Sequence, residues 1–124
     1  MRVLDACVFI NLVEPLEGVT VPCVGDELKD IKSKALFENM VREGKVKIML
    51  PDKEWVEAVK RKAKEIGSEK KLSECDIQLL ALALQLKGEL VTDDYTMQNL
   101  AAHLGLKFHG CIRGEIKEKR VFRR

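Results

Sequence analysis

Short apolar runs alternate with longer amphipathic stretches along this chain. Arg2-Val3-Leu4-Asp5 is a brief apolar run closed by an acid, and the change of pattern after it predicts a buried first strand. Ala6 to Glu14 carries Val8, Ile10, Leu12 and Val13 and predicts a helix ended before Pro15. Gly18 to Val24 is rich in β-branched residues and predicts a second strand, with Pro22 marking an edge position or an early end. Gly25-Asp26-Glu27 then opens a long helix ended by Gly44, with Leu28, Ile31, Ala35, Leu36 and Met40 as its apolar stripe. Lys45 to Leu50 alternates and predicts a third strand. Pro51-Asp52 opens a helix to Ile66, with Val56, Val59 and Ala63 inward. After a polar connection over Gly67 to Lys71, Asp76 opens a helix with Ile77, Leu80, Ala81 and Leu84 at helical spacing, stopped by Gly88. Glu89 to Thr92 is a fourth strand closed by Asp93 and Asp94. A helix through Leu104 and a short last strand at Leu106-Lys107-Phe108 follow.

Strands alternating with helices imply parallel βαβ units, and hence an α/β domain with a central parallel sheet between two helical layers. The 124 residues fit one domain able to bury a core. Residues 1–109 are assigned to it, and residues 110–124 to a basic C-terminal tail, an added strand or a linker. No internal repeat or low-complexity segment is visible.

Charge modifies this picture locally. Net charge is only +2, which by itself indicates no nucleic-acid partner. The distribution is uneven. Lys60-Arg61-Lys62-Ala63-Lys64 is one basic cluster, and Lys107 to Arg124 holds seven basic residues, Arg113, Lys119 and Arg120 among them, against Glu115 and Glu118. Each cluster is about as readily a solvated face as a surface for phosphates. The first apolar run lacks the flanks of a secretory signal, and no run is long enough to cross a bilayer. Cys7, Cys23, Cys75 and Cys111 form no CxxC pair. They are expected to be reduced thiols in a cytoplasmic protein, neither a disulfide framework nor a zinc site.

The chemistry-bearing residues are acids. Asp5, Glu27, Asp76, Asp93 and Asp94 all fall at strand ends or helix starts, so the layout gathers them at the carboxyl edge of the sheet. Each has a plain structural explanation except Asp5. Ser73-x-x-Asp76 fits a capping box, Asp93 an N-cap, and Asp94 and Glu27 the first turn of a helix. Convergence favours a site, because clustered carboxylates repel unless a cation joins them. Oxygen ligands without His or Cys suit Mg²⁺ or Mn²⁺, which can hold a phosphate and activate water for phosphodiester cleavage. His103 and His109 belong to no nucleophile motif, and no P-loop or GxGxxG is present. Tyr95 and Trp55 could stack on bases, packing being the better explanation of Trp55.

At these residues the chain resembles the PIN-domain ribonucleases. The resemblance runs over Val3-Leu4-Asp5, Asp26-Glu27-Leu28, LSECDIQLLALAL and VTDDYTMQNLA, the last two being the specific part. Leu72-Ser73 before Asp76, and Thr92 to Tyr95 followed by Gln98-Asn99, are most like the archaeal Nob family, whose members mature the 3′ end of small-subunit ribosomal RNA. The resemblance implies a Rossmann-like α/β/α fold and a metal-dependent endoribonuclease. It implies Asp5, Glu27, Asp76 and Asp94 as metal-binding acids, with Asp93 assisting and Ser73, Thr92 and Asn99 supporting. Asp94 is preferred over Asp93 as main ligand on the T-x-D spacing of PIN toxins. There are departures. The zinc ribbon of paired cysteines that follows the PIN domain in Nob proteins has no counterpart here, and Asp5-Ala6-Cys7 lacks the usual Ser or Thr two residues after the first acid.

The expected function is therefore Mg²⁺- or Mn²⁺-dependent hydrolysis of RNA in small-subunit rRNA maturation. Lys60, Arg61, Lys62, Lys64, Arg113, Lys119 and Arg120 would track the RNA backbone. The expected partners are precursor rRNA and a second copy of the chain. A VapC-type toxin, with an antitoxin partner, is the first alternative. A non-catalytic RNA-binding or assembly module with a degenerate acidic site is the second. A receiver or haloacid-type phosphatase fits worse, since Asp5-Ala6-Cys7 is not DxD and no early acid pair is present.

Overall fold

The computed structural model describes residues 1–11 and 17–110. Five strands, β1 (Arg2–Leu4), β2 (Gly18–Thr20), β3 (Val46–Ile48), β4 (Glu89–Val91) and β5 (Lys107–His109), form one sheet in the order β3-β2-β1-β4-β5. Every pairing is parallel, with Val3 opposite both Val19 and Leu90. The first strand of the chain is thus the central one. A parallel sheet covered on both faces needs apolar side chains on both, and Val3, Leu4, Val19, Leu90 and Val91 are all buried.

The chain steps from β1 to β2 and β3 in one direction, then returns past β1 to β4 and β5. Right-handed crossovers therefore place the helices of the first half on one face and those of the second half on the other. On the first face, α1 (Cys7–Asn11) packs with α3 (Ile31–Arg42) through an edge-to-face pair, Phe9 and Phe37, with ring centroids 5.1 Å apart. On the second, α4 (Lys53–Glu65), α5 (Glu74–Leu86) and α6 (Tyr95–His103) pack together. Cys75, Ile77 and every residue from Leu79 to Ala83 are buried in α5, so it is the core helix of that layer. The reversal of direction between β1 and β4 is a topological switch point; Asp5 directly follows β1, and Thr92 and then Asp93-Asp94 follow β4.

Two glycines allow the flanking strands to close on β1. A Cβ at Gly18 would run into the Arg2 carbonyl, and one at Gly88 would lie 2.7 Å from the Met1 carbonyl oxygen. Gly88 follows the end of α5, but the left-handed turn there is not made by the glycine. Lys87 makes it, at φ 55°.

The largest difference from the sequence reading lies between Val21 and Gly44. Strand β2 ends at Thr20, and a helix α2 (Pro22–Glu27) follows. Proline suits the first turn of a helix, where its missing N–H has no partner to lose. Glu27 therefore ends a helix instead of opening one. A separate helix α3 then begins at Ile31, capped by Asp30, whose carboxylate accepts from the Ser33 backbone N–H at 3.0 Å and its hydroxyl at 2.7 Å. Its inward residues are Ser33, Phe37 and Met40, whereas Ile31 is 85 % exposed and Ala35 is exposed. The stripe expected through Ile31 and Ala35 assumed one continuous helix, and the break changes the phase. The remaining expected elements agree to within a few residues. The expected continuation of the first helix through Leu12 and Val13 and the expected tail strand lie outside the described residues, since residues 12–16 and 111–124 are not described.

A second correction concerns the thiols. Cys23 on α2 and Cys75 on α5 are joined in a disulfide, Cα to Cα 5.9 Å, across 52 residues of sequence. Cys7 is free. That separation leaves no local signal, so spacing alone could not find the pair.

Candidate metal centre

Asp5 is the anchor of the carboxyl edge. Its backbone N–H continues the β1–β4 ladder by donating to the Val91 carbonyl at 3.1 Å. Its Oδ1 accepts from the Ala6 N–H at 2.7 Å. Its Oδ2 accepts from the Thr92 hydroxyl at 2.6 Å, across 87 residues of sequence. Thr92 is fully buried, so its hydroxyl works only within the protein. That same oxygen accepts from the Asp94 N–H at 3.1 Å, and the Thr92 carbonyl accepts from Gln98 Nε2 at 2.7 Å. One threonine thereby ties the end of β1 to the end of β4 and the start of α6.

The helix starts hold the other acids. In α5, Ser73 Oγ accepts from the Asp76 N–H and Asp76 Oδ2 accepts from the Ser73 N–H, each at 3.0 Å, a complete capping box. In α6 the N-cap is Asp94, accepting from the Met97 N–H at 3.0 Å, and not Asp93 as the sequence suggested. Asp93 is exposed in the turn before it. Asp76 caps with Oδ2 and Asp94 with Oδ1, so a carboxylate can cap a helix with one oxygen and present the other. Glu27 is exposed at the end of α2, near enough for the charges of Asp5 and Asp76 to act on it.

Electrostatics bind these residues into one group. Burial pushes the Asp5 carboxyl above the ordinary carboxylate range. The Thr92 and Ala6 hydrogen bonds oppose this, and the charges of Asp76 and Asp94 add to it. Glu27 is raised by burial, then by Asp5 and Asp76. Asp76 is raised by burial and by Asp94, against its bonds to Ser73. Among the described residues, the charges that raise these three acids are those of other acids in the group, Asp5, Asp76 and Asp94. Among the described residues, no three Asp, Glu, His or Cys groups already form a set that could hold a metal ion. The acids thus repel one another without forming a closed cage. Oxygen-only donors with clustered negative charge fit a hard divalent cation that keeps part of its water shell, as Mg²⁺ does.

Of the residues read as supporting, Ser73 hydrogen-bonds Asp76 and Thr92 hydrogen-bonds Asp5. Asn99 is exposed on α6, and its neighbour Gln98 makes the bond to the strand end. No local pattern separates these two adjacent amides. Lys60 lies 3.8 Å from Glu74, two residues from Asp76, and Lys62 pairs with Glu65 at 2.8 Å. Arg61 and Lys64 are exposed on the same helix. Arg113, Lys119 and Arg120 lie outside the described residues.

Residues 3–86 match a family model described as the PIN domain of ribonuclease. The chain belongs to that family. The match takes in Asp5, Glu27 and Asp76 and stops before Asp93 and Asp94. Among curated PIN relatives, Endoribonuclease Nob1 of Pyrococcus abyssi is 48 % identical over 112 residues, 90 % of this chain and 69 % of that protein. Endoribonuclease Nob1 of Methanothermobacter thermautotrophicus is 36 % identical over 99 % of this chain and 75 % of its own. Ribonuclease VapC3 of Aeropyrum pernix is 37 % identical over 84 % and 81 %. The resemblance to PIN ribonucleases, and within them to Nob1, therefore holds over most of the chain and not only at its acidic motifs.

Proposed function

We propose that this chain is a Mg²⁺- or Mn²⁺-dependent endoribonuclease acting on precursor rRNA of the small ribosomal subunit, in the manner the Nob resemblance implies. The observation that carries the metal reading is Asp5, a half-buried carboxylate fixed between β1 and β4 with Asp76, Asp94 and Glu27 as its charged neighbours. Asp5, Glu27, Asp76 and Asp94 would hold the cation, with Asp93 beside them. When bound, the cation supplies positive charge at the phosphate and acidifies water for attack. The chain's own part is orientation. Thr92 and Ala6 fix Asp5, the Ser73 box fixes Asp76, and the α6 cap fixes Asp94, so little reorganisation is left for the reaction. Arg61 and Lys64, with Lys60, Lys62, Arg113, Lys119 and Arg120, would meet the RNA backbone. No described helix is long and apolar enough to cross a membrane. A cytoplasmic location and a second copy of the chain as partner are part of the same reading.

The test is cleavage of small-subunit precursor rRNA with Mn²⁺, with Mn²⁺ plus EDTA, and with Asp5→Asn and Asp76→Asn. A cut at a single position, abolished by EDTA and by both substitutions, is the expected result. Cleavage that survives both substitutions would sink the acidic centre. The similarity to Ribonuclease VapC3 supports a second reading, a toxin ribonuclease. Toxicity on expression, relieved by a small co-purifying protein, would favour it.

A further inference from the structure

Tyr95 is 82 % exposed, directly after Asp94 and at the first position of α6. Of the other described aromatics, Phe9 and Phe37 meet edge to face in the core and Trp55 packs against it. Phe108 is 36 % exposed, but on the edge strand β5 and not at a helix start beside an acid. A ring this exposed contributes almost nothing to burial. Nor does α6 need it as a cap, because Asp94 already performs that role. The backbone that presents it is held firmly, by Asp94 to Met97 and by Gln98 to the Thr92 carbonyl. Its Cα is one residue, about 4 Å, from that of Asp94. A flat aromatic face therefore stands in solvent beside the acids, on a rigid helix start.

We propose that Tyr95 is a stacking platform for the RNA base adjoining the scissile phosphate. This rests on the ribonuclease reading of the acidic edge and deepens it. Tyr95 is a positioning residue. It offers a π-face to a splayed, single-stranded base and makes no demand on base identity, since every base has a face to stack. Stacking of one base would also help fix where the next phosphate falls relative to Asp94.

The experiment uses the full chain with Mn²⁺ and a labelled single-stranded RNA that the wild type cuts, intact or carrying one abasic site walked across the cut position. Tyr95→Ala is expected to raise KM about 5- to 100-fold on intact RNA, the range for loss of one stacked base. Tyr95→Phe should restore it, and Tyr95→Leu should not. At one abasic position the wild type should show the same loss, with Tyr95→Ala adding nothing further. An unchanged KM in Tyr95→Ala, or losses that add fully at every abasic position, would overturn the stacking role while leaving the nuclease reading intact. A wild type that neither cuts nor binds any RNA overturns that reading, and the stacking role with it. Unchanged thermal unfolding of the three variants separates these effects from misfolding.

Discussion

Asp76 serves two purposes, and two substitutions separate them. Asparagine can still accept the Ser73 N–H with its carbonyl, so Asp76→Asn keeps the capping box and removes the charge. Metal-free thermal stability should be unchanged or slightly raised, because the repulsion from Asp94 disappears. Metal affinity should fall. Asp76→Ala should lose the cap as well, at a further cost of about 1 kcal/mol. Differential scanning calorimetry with and without Mn²⁺ reads both. A large loss of metal-free stability in Asp76→Asn would mean that the charge itself holds the helix. Thr92→Val is the corresponding test for Asp5. It strips a half-buried carboxylate of its hydroxyl donor and the Asp94 N–H of its acceptor, for a destabilisation of about 1–3 kcal/mol. A loss of Mn²⁺ affinity of about 10- to 100-fold is expected, as for other residues that orient ligands.

The elements that place these residues were unequally visible in the sequence. Strand β1 was legible because an apolar run ending in an acid has few other uses in a buried sheet. The Ser73 box was legible because its four residues are contiguous. Helix α2 is hidden because Pro22 breaks a strand and starts a helix equally well, and the Asp30–Ser33 cap lies inside a stretch whose apolar spacing suggests one long helix. The Thr92–Asp5 bond and the Cys23–Cys75 bridge span 87 and 52 residues, where no local pattern reaches. That bridge joins α2, which carries Glu27, to the first turn of α5, which carries Asp76. Closing a loop of that length removes chain entropy worth about 4 kcal/mol from the unfolded state. Cys23→Ser with Cys75→Ser should therefore lower the unfolding temperature, and added reductant should lower that of the wild type but not of the variant. Gly18→Ala should also destabilise, by about 1–3 kcal/mol, since its Cβ meets the Arg2 backbone, which cannot swing away as a side chain can. An unfolding temperature matching the wild type would show that β1 and β2 can separate to admit it.

At the scale of the whole molecule, the fold gathers like charges at the switch point of its sheet, where the charge of one raises the carboxyl of another. Asp5, Glu27 and Asp76 all titrate above the ordinary range. Without metal, the folded state holds more protons than the unfolded one in the window between the ordinary carboxylate values and the raised ones. Stability should therefore be fully present below that window and fall as pH rises through it. A divalent cation should reverse this trend, and its affinity should weaken as pH falls and protons compete. The most direct measurement is a titration with Mn²⁺ followed by electron paramagnetic resonance of the free ion, for the wild type and for Asp5→Asn. Saturable loss of the free-ion signal in the wild type, weakened at least tenfold in Asp5→Asn, is the result expected of a metal centre at this edge. Identical binding curves for the two proteins, or no binding by either, would contradict it.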